Sequence, residues 1–455
     1  MDMNRRGFAV RLLLALLAAV LAATACTSAN GGDGPVTVLA SWSGEEQKAF
    51  EAVLAEFTAQ TGIRVEYRPA TRALDQELRK DLQTGTQADL AVLSSPGQLA
   101  PFAAEGALQP LDDVLGDQNG RYGPQWSSVQ SVIDPAGGTR TYAVPVKVSL
   151  KSVIWYNPGA LKQLLGADWT EPPKTWAQLV DLTGRIAAHG GTPWCLGMES
   201  TPVSGWPGTD WIEDILLHRF EPAVYQGWAD GAAPRFDSPE LAEALTAWAE
   251  LVSEPGHVNG GSEGALLTGF ADAGQALFTT PKPGCYLYHA ASVDNTKNRL
   301  QPGKDFDFFP FPKTGEASSG VNEVSADFAV LVRQTPQAKE LVKFLASDAA
   351  QGIWPARPGS GALSPDRAIG LGVYPDEVSR SMARILTGSP ICLDASDLMP
   401  SSLSNAFNQA MLAFLSDPAR YADPANVHAL LANLDKVAAQ AYPGNRALNY
   451  HCGQF

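Results

Sequence analysis

The stretch Ser204-Gly205-Trp206-Pro207-Gly208-Thr209-Asp210-Trp211 sets a tryptophan between glycines in a loop that opens a helix. An indole held there presents a flat apolar platform, and Asp210 close behind can bond hydroxyl groups or cap the helix. Lys147 lies among Val144, Val146 and Val148. A cation in an apolar run must find water or a partner, so it belongs either in a cleft or on a surface hinge. Ser94 and Ser95 follow an apolar run and offer hydroxyls to a ligand, or else cap the next helix. Trp155 and Tyr156 are neighbours in an extended stretch and point to opposite sides. Only one can face a ligand, and Trp155 is the one expected to. This is the chemistry of non-covalent capture of a polyhydroxylated molecule. Its CH faces lie on indole and its hydroxyl rim bonds charged groups. An unmatched buried polar group costs about 1–3 kcal/mol, which gives selectivity.

Other chemistries find less support. The sequence has no H-E-x-x-H helix. Acidic residues are plentiful, so a pair of glycosidase carboxylates is not excluded by counting. A secreted hydrolase therefore stays as a minor alternative to a chain with no catalytic activity. There is no C-x-x-C and the six histidines are scattered, which speaks against a zinc site; neither a metal nor a cofactor is expected. The net charge of −15, without a Lys/Arg cluster, argues against nucleic acid as partner.

The first residues read as an export signal over residues 1–25: Arg5 and Arg6, then Arg11, an uncharged apolar run, and small residues before Cys26. The small residues and the cysteine resemble a bacterial lipobox, which implies acylation of Cys26 and a membrane contact through lipid. Arg5-Arg6-Gly7-Phe8 also looks like a twin-arginine signal, so the export route stays open. Cleavage before Cys26 would remove three arginines and Asp2 and take the charge to −17. Residues 26–35 then form a polar tether. The four other cysteines, Cys195, Cys285, Cys392 and Cys452, allow three pairings. The simplest is Cys195–Cys285 with Cys392–Cys452, favoured by an oxidising compartment.

Periodicity places strands near 36–41, 63–67 and 89–93, alternating with helices at 45–60, 74–82 and 97–104. That order implies a parallel sheet with crossover helices. Extended stretches at 142–147 and 152–156 come next, then mainly helix, with strand character returning at 285–289, 305–309 and 326–332. Strands that return late suggest discontinuous α/β lobes joined by a hinge. The expected division is 36–147 and 285–350 for lobe 1, and 148–284 and 351–455 for lobe 2. A cleft should lie where the loops after Ser41, after Leu93 and around Lys147 converge.

Ser41-Trp42-Ser43-Gly44-Glu45-Glu46 and Phe57-Thr58-Ala59-Gln60-Thr61-Gly62-Ile63-Arg64-Val65-Glu66-Tyr67 resemble the start of extracellular solute-binding proteins of the maltose-binding type. So do Ala88-Asp89-Leu90-Ala91-Val92-Leu93, the run from Phe102 to Leu111, Val144-Pro145-Val146, Ile154-Trp155-Tyr156-Asn157-Pro158, and Trp354 with Leu363-Ser364-Pro365. The resemblance covers nearly the whole chain after the signal. It implies a periplasmic-binding-protein-like fold of two α/β lobes with a hinge, a monomer, an ABC importer as partner, and a sugar, oligosaccharide or glycoside as ligand. A polyamine, phosphate ester or peptide is the alternative on the same fold. The resemblance also implies ligand contact for Trp42, Glu45 and Glu46 in the first loop, and for Trp354, the late tryptophan that stacks on sugar in such relatives. Gly320-Val321-Asn322-Glu323 departs from the more glycine-rich loop of relatives, which puts contact there in doubt.

Overall fold

The computed structural model describes residues 34–116, 120–133, 138–200, 203–294, 300–315, 320–442 and 450–453. The export signal, Cys26 and most of the tether lie outside them. Among the described residues no helix is long and apolar enough to cross a membrane.

Twelve strands are described: β1 (Val36–Ala40), β2 (Val65–Pro69), β3 (Leu90–Leu93), β4 (Ser131–Ile133), β5 (Thr139–Thr141), β6 (Ala143–Leu150), β7 (Val153–Tyr156), β8 (Trp194–Cys195), β9 (Leu287–His289), β10 (Asp307–Pro310), β11 (Asn322–Leu331) and β12 (Ile391–Leu393). The apolar run of β1 is nearly continuous because both faces are covered, as in parallel sheets. It pairs in parallel with β2 and β3. The crossover helix Gly44–Thr61 buries Ala49, Phe50, Val53, Leu54 and Phe57 against this sheet. It stops at Gly62, whose φ of 73° is the left-handed conformation glycine adopts freely.

The larger sheets are two. The six-stranded sheet runs β12-β11-β3-β1-β2, with β6 on the other side of β11. The four-stranded sheet runs β10-β7-β9-β8. β6 and β11 are long antiparallel partners and cross between the lobes. Phe328–Leu331 of β11 pair with β3 in the first lobe, whereas Asn322–Val324 pair with β12 at the other end. The register between β6 and β11 shifts at Asp327/Phe328. A shift of this kind bends and twists a strand pair, and it sits at the crossing.

The division expected at residue 285 differs from this pairing. β9 and β10 flank β7 in the second sheet, and the return to the first sheet is made by β11. The reason is non-local: strand character says nothing about which strand is the partner. Both disulfides of the simplest pairing are present, Cys195–Cys285 and Cys392–Cys452. The first ties β8 to the segment entering β9, and the second ties β12 to the C-terminal segment.

The helix Trp206–Arg219 is buried from Pro207 to His218, which explains its weak amphipathic pattern. Asp210, Glu213, Asp214 and His218 fall at helical spacing along it, so their carboxylates and ring are forced inside together.

The Cys392–Cys452 bridge spans 60 residues, and loop-closure entropy makes it worth about 4 kcal/mol at most. The double variant C392S/C452S should lose about 2–4 kcal/mol in urea unfolding and show faster amide exchange at β12. Unchanged exchange there would mean that β12 is held by its neighbours alone.

Candidate functional site

Lys147 and Lys151 stand four residues apart, the first in β6 and the second just beyond its end. In extended chain that spacing puts both on one face, roughly 13 Å apart. Each ammonium gathers carboxylates from other segments. Lys147 Nζ lies 2.5 Å from Glu46 and 3.9 Å from Asp327. Burial opposes its charge, but Glu46 and Asp327 hold its pKa above the ordinary lysine value. The same ammonium lies 5.6 Å from the ring centre of Trp354. Trp354 meets Trp42 edge-on at 4.8 Å, and both pack on Phe50. The loop after β1, the crossing strand and the segment after the helix Asp348–Ile353 thus meet at one place.

Lys151 is bound more deeply. Its Nζ donates to Asp210 at 2.9 Å and to Asp394, and lies 5.4 Å from the ring of Trp206. Asp394 also accepts from the Ser396 hydroxyl at 2.7 Å and the Asp397 amide at 2.9 Å. Burial alone would raise its pKa, but Lys151 and hydrogen bonds from Glu213 and Ser396 hold it below the usual carboxylate value. Asp210 is pushed up to about 6 by burial, against the pull of Lys151. Burial and then the Asp394 charge drive Glu213 and Asp397 well above their usual values. Glu323 is driven up by burial and then by Asp214 and Glu213, and neither of its oxygens has a hydrogen-bond partner. One ammonium cannot neutralise so many carboxylates, and burial favours the neutral form of Glu213, Glu323 and Asp397. The carboxylates of Asp210, Glu323 and Asp394 come within 4.8 Å of one another, a spacing a hard cation could use. Two of them already share the Lys151 ammonium.

Behind this group, Asp214 accepts from the Ser152 hydroxyl and lies 2.8 Å from Nε2 of His289. Burial holds the His218 ring below its ordinary pKa.

The expected site residues fall into two sets. Trp42, Glu46, Lys147 and Trp354 come together, and Trp206 and Asp210 come together around Lys151. Ser95 joins them from the loop after β3, its hydroxyl donating to the Asp397 carbonyl rather than capping its own turn. Trp155 does not join: its indole N–H donates to the Ala290 carbonyl at 2.7 Å and its ring packs on Phe306 and Phe308, in the core of the second lobe. Alternation put Trp155 and Tyr156 on opposite faces of β7, but both faces are buried. Glu45 is exposed and pairs with Lys48 at 2.8 Å, favourably placed at a helix N-terminus. Ser94 is exposed. Lys151, Asp327, Asp394 and Asp397 were not singled out. Lys151 carried the same signal as Lys147, a cation in an apolar run, and Asp394 directly follows the apolar Ile391-Cys392-Leu393.

With this geometry in place, comparison with known proteins decides the family. Residues 41–352 match the family model described as bacterial extracellular solute-binding protein. The chain belongs to that family. It is 35% identical over 397 residues to the osmoprotective compounds-binding protein GgtB of Synechocystis, covering 85% of this chain and 91% of GgtB. It is 31% identical over 389 residues to the alpha-glucosides-binding periplasmic protein AglE of Rhizobium meliloti, covering 84% and 83%. The bacterial solute receptor AcbH has the same fold, with a TM-score of 0.73 at 19% identity over 90% of this chain and 99% of that one. A chitin oligosaccharide binding protein matches at 0.74 and 16% identity over 91% and 100%. The two-lobed architecture is therefore that of the extracellular solute-binding proteins, and the chain is an exported protein of that kind.

Two outcomes test the charge arrangement. K151M leaves Asp210 and Asp394 buried without their cation and should cost about 3–5 kcal/mol in urea unfolding; a loss below 1 kcal/mol would show the cluster to be solvated. Asp327 is raised by burial from 3.8 to about 6. The folded state holds that proton more tightly than the unfolded chain. The resulting stability is full below about pH 4 and is lost as pH rises through 6. D327N should flatten the fall in stability between pH 4.5 and 7.5 by on the order of 2 kcal/mol; an unchanged profile would place that titration elsewhere.

Proposed function

We propose that this chain captures a small neutral carbohydrate, an α-glucoside in class, between its lobes and hands it to an ABC importer without making or breaking a bond. The observation that carries this reading is the pair of lysine–carboxylate clusters on one face of the crossing strand, each with a tryptophan beside it. At Trp206 indole supplies a surface for sugar CH groups, whereas Trp42 and Trp354, expected to contact the sugar, are 6% and 1% exposed and pack in the core; paired charges supply strong donors and acceptors for hydroxyls. Neither cluster, among the described residues, contains an arginine, and carboxylates outnumber cations in both. That balance disfavours a phosphate ester or other anion. AglE is named for α-glucosides and GgtB for osmoprotective compounds, and each aligns over most of this chain. Both are named as binding proteins, which supports a role without catalysis. Acylation of Cys26 would keep the loaded protein at the outer face of the membrane as a monomer.

Calorimetry with sucrose, trehalose, maltose, lactose, glucose 6-phosphate and glucuronate tests the reading. Binding should favour the α-glucosides, with the two anions at least tenfold weaker. W206A should weaken binding by tenfold or more, about 1.4 kcal/mol. No saccharide bound at millimolar concentration would remove the reading. Release of free glucose from maltose on long incubation would return the chain to the hydrolases.

A further inference from the structure

The loop after β3 runs Ser94-Ser95-Pro96-Gly97-Gln98 and forms a single tight turn at Pro96–Gln98. Gly97 is not a glycine for the sake of its backbone angles, since it is absent from the residues with positive φ. It is one for lack of room. A Cβ there would lie 2.8 Å from the Leu398 carbonyl oxygen, 2.9 Å from that of Asp397, and nearer still to that of Met399. All three neighbours are backbone, so none can swing aside as a side chain would. Beside this contact the Ser95 hydroxyl donates to the Asp397 carbonyl.

The two sides of the contact belong to different bodies. Residues 94–98 extend β3, and Leu99 and Phe102 just beyond are buried in the core. Residues 394–399 are fixed from the second lobe. The Tyr225 hydroxyl donates to the Leu393 carbonyl at 3.0 Å and accepts from the Ala395 amide at 2.8 Å. Asp394 binds Lys151, and the Ser396 amide donates to Glu213 at 3.2 Å. The stop is thus rigid on both sides and lies next to the Lys151 cluster. With the lobes in contact here, Asp210 is 3% exposed and Lys151 7%. Walls packed this closely favour a short ligand over a long one.

We infer that Gly97 is a specificity-determining residue: by admitting the 397–399 carbonyls it sets how far the lobes close, and so favours short saccharides over long ones. The inference rests on the carbohydrate reading above. A side chain at position 97 would act as a spacer, weakening contacts to a short ligand while making room for a longer one.

The test is calorimetry with maltose, maltotriose and maltotetraose on the parent protein, G97A and S95A, with thermal melts to confirm folding. The parent should prefer maltose to maltotetraose by at least tenfold. G97A should lose tenfold or more for maltose and less for maltotetraose, so that the length preference shrinks. S95A removes the hydroxyl bridge without adding volume and should weaken all three ligands by a similar few-fold factor, leaving the preference intact. Small-angle scattering with maltose present should give G97A a larger radius of gyration than the parent. An unchanged length preference in folded G97A, a parent that binds maltotetraose as well as maltose, or equal radii would each overturn the role of Gly97 while leaving carbohydrate binding in place. A parent that binds no saccharide overturns the reading on which the role depends.

Discussion

A lysine cannot stay charged inside a protein without partners, and the crossing strand β6 with its exit carries two. Lys147 draws Glu46 from the loop after β1 and Asp327 from β11. Lys151 draws Asp210 from the helix Trp206–Arg219 and Asp394 from the end of β12. Four segments distant in sequence are thereby tied to one strand, because leaving either ammonium unpaired would cost several kcal/mol. The apolar cores hold each sheet to its helices; these charges hold the segments that line the cleft to the crossing.

The surplus of acid around Lys151 has a chemical meaning. Glu213, Glu323 and Asp397 are driven toward the neutral form by burial and by one another. A neutral carboxyl can donate as well as accept a hydrogen bond. A hydroxyl also does both, so the cluster is matched to polyols in a way that a row of arginines would not be. The cluster's cation, Lys151, is already held by Asp210 and Asp394, so it is not free to bind a phosphate or carboxylate.

Much of this was legible in the sequence where the signal is local. The helix Gly44–Thr61 follows from its apolar spacing, the partnered position of Lys147 from the cost of a cation among valines, and the helix opening at Trp206 from the glycines around it. Sheet membership was not legible, since pairing is long-range. One clue bore on it even so. A disulfide across a hinge would weld it shut, so a Cys195–Cys285 bridge already required β9 to lie in the same lobe as β8. Trp155 shows the opposite limit: alternation assigns faces, but in a strand covered on both sides neither face opens to a ligand. Asp394 and Gly97 act through partners more than 200 residues away in sequence, and nothing in their immediate neighbours distinguishes them from an ordinary cap and an ordinary turn.

The contact at Gly97 itself holds little attraction. The strong interactions, Lys147 with Glu46 and Lys151 with Asp210 and Asp394, organise the walls themselves, whereas the Gly97 stop adds van der Waals contact and one bond from the Ser95 hydroxyl. A single neutral hydrogen bond contributes about 0.5–1.5 kcal/mol. That contact alone is too little to fix the closed position. Walls whose charges are already paired need little rearrangement when a ligand arrives, which favours affinity. Closure must then draw most of its energy from the ligand bridging the two clusters. A receptor built in this way closes in proportion to occupancy, so the closed shape is a usable signal that the site is filled.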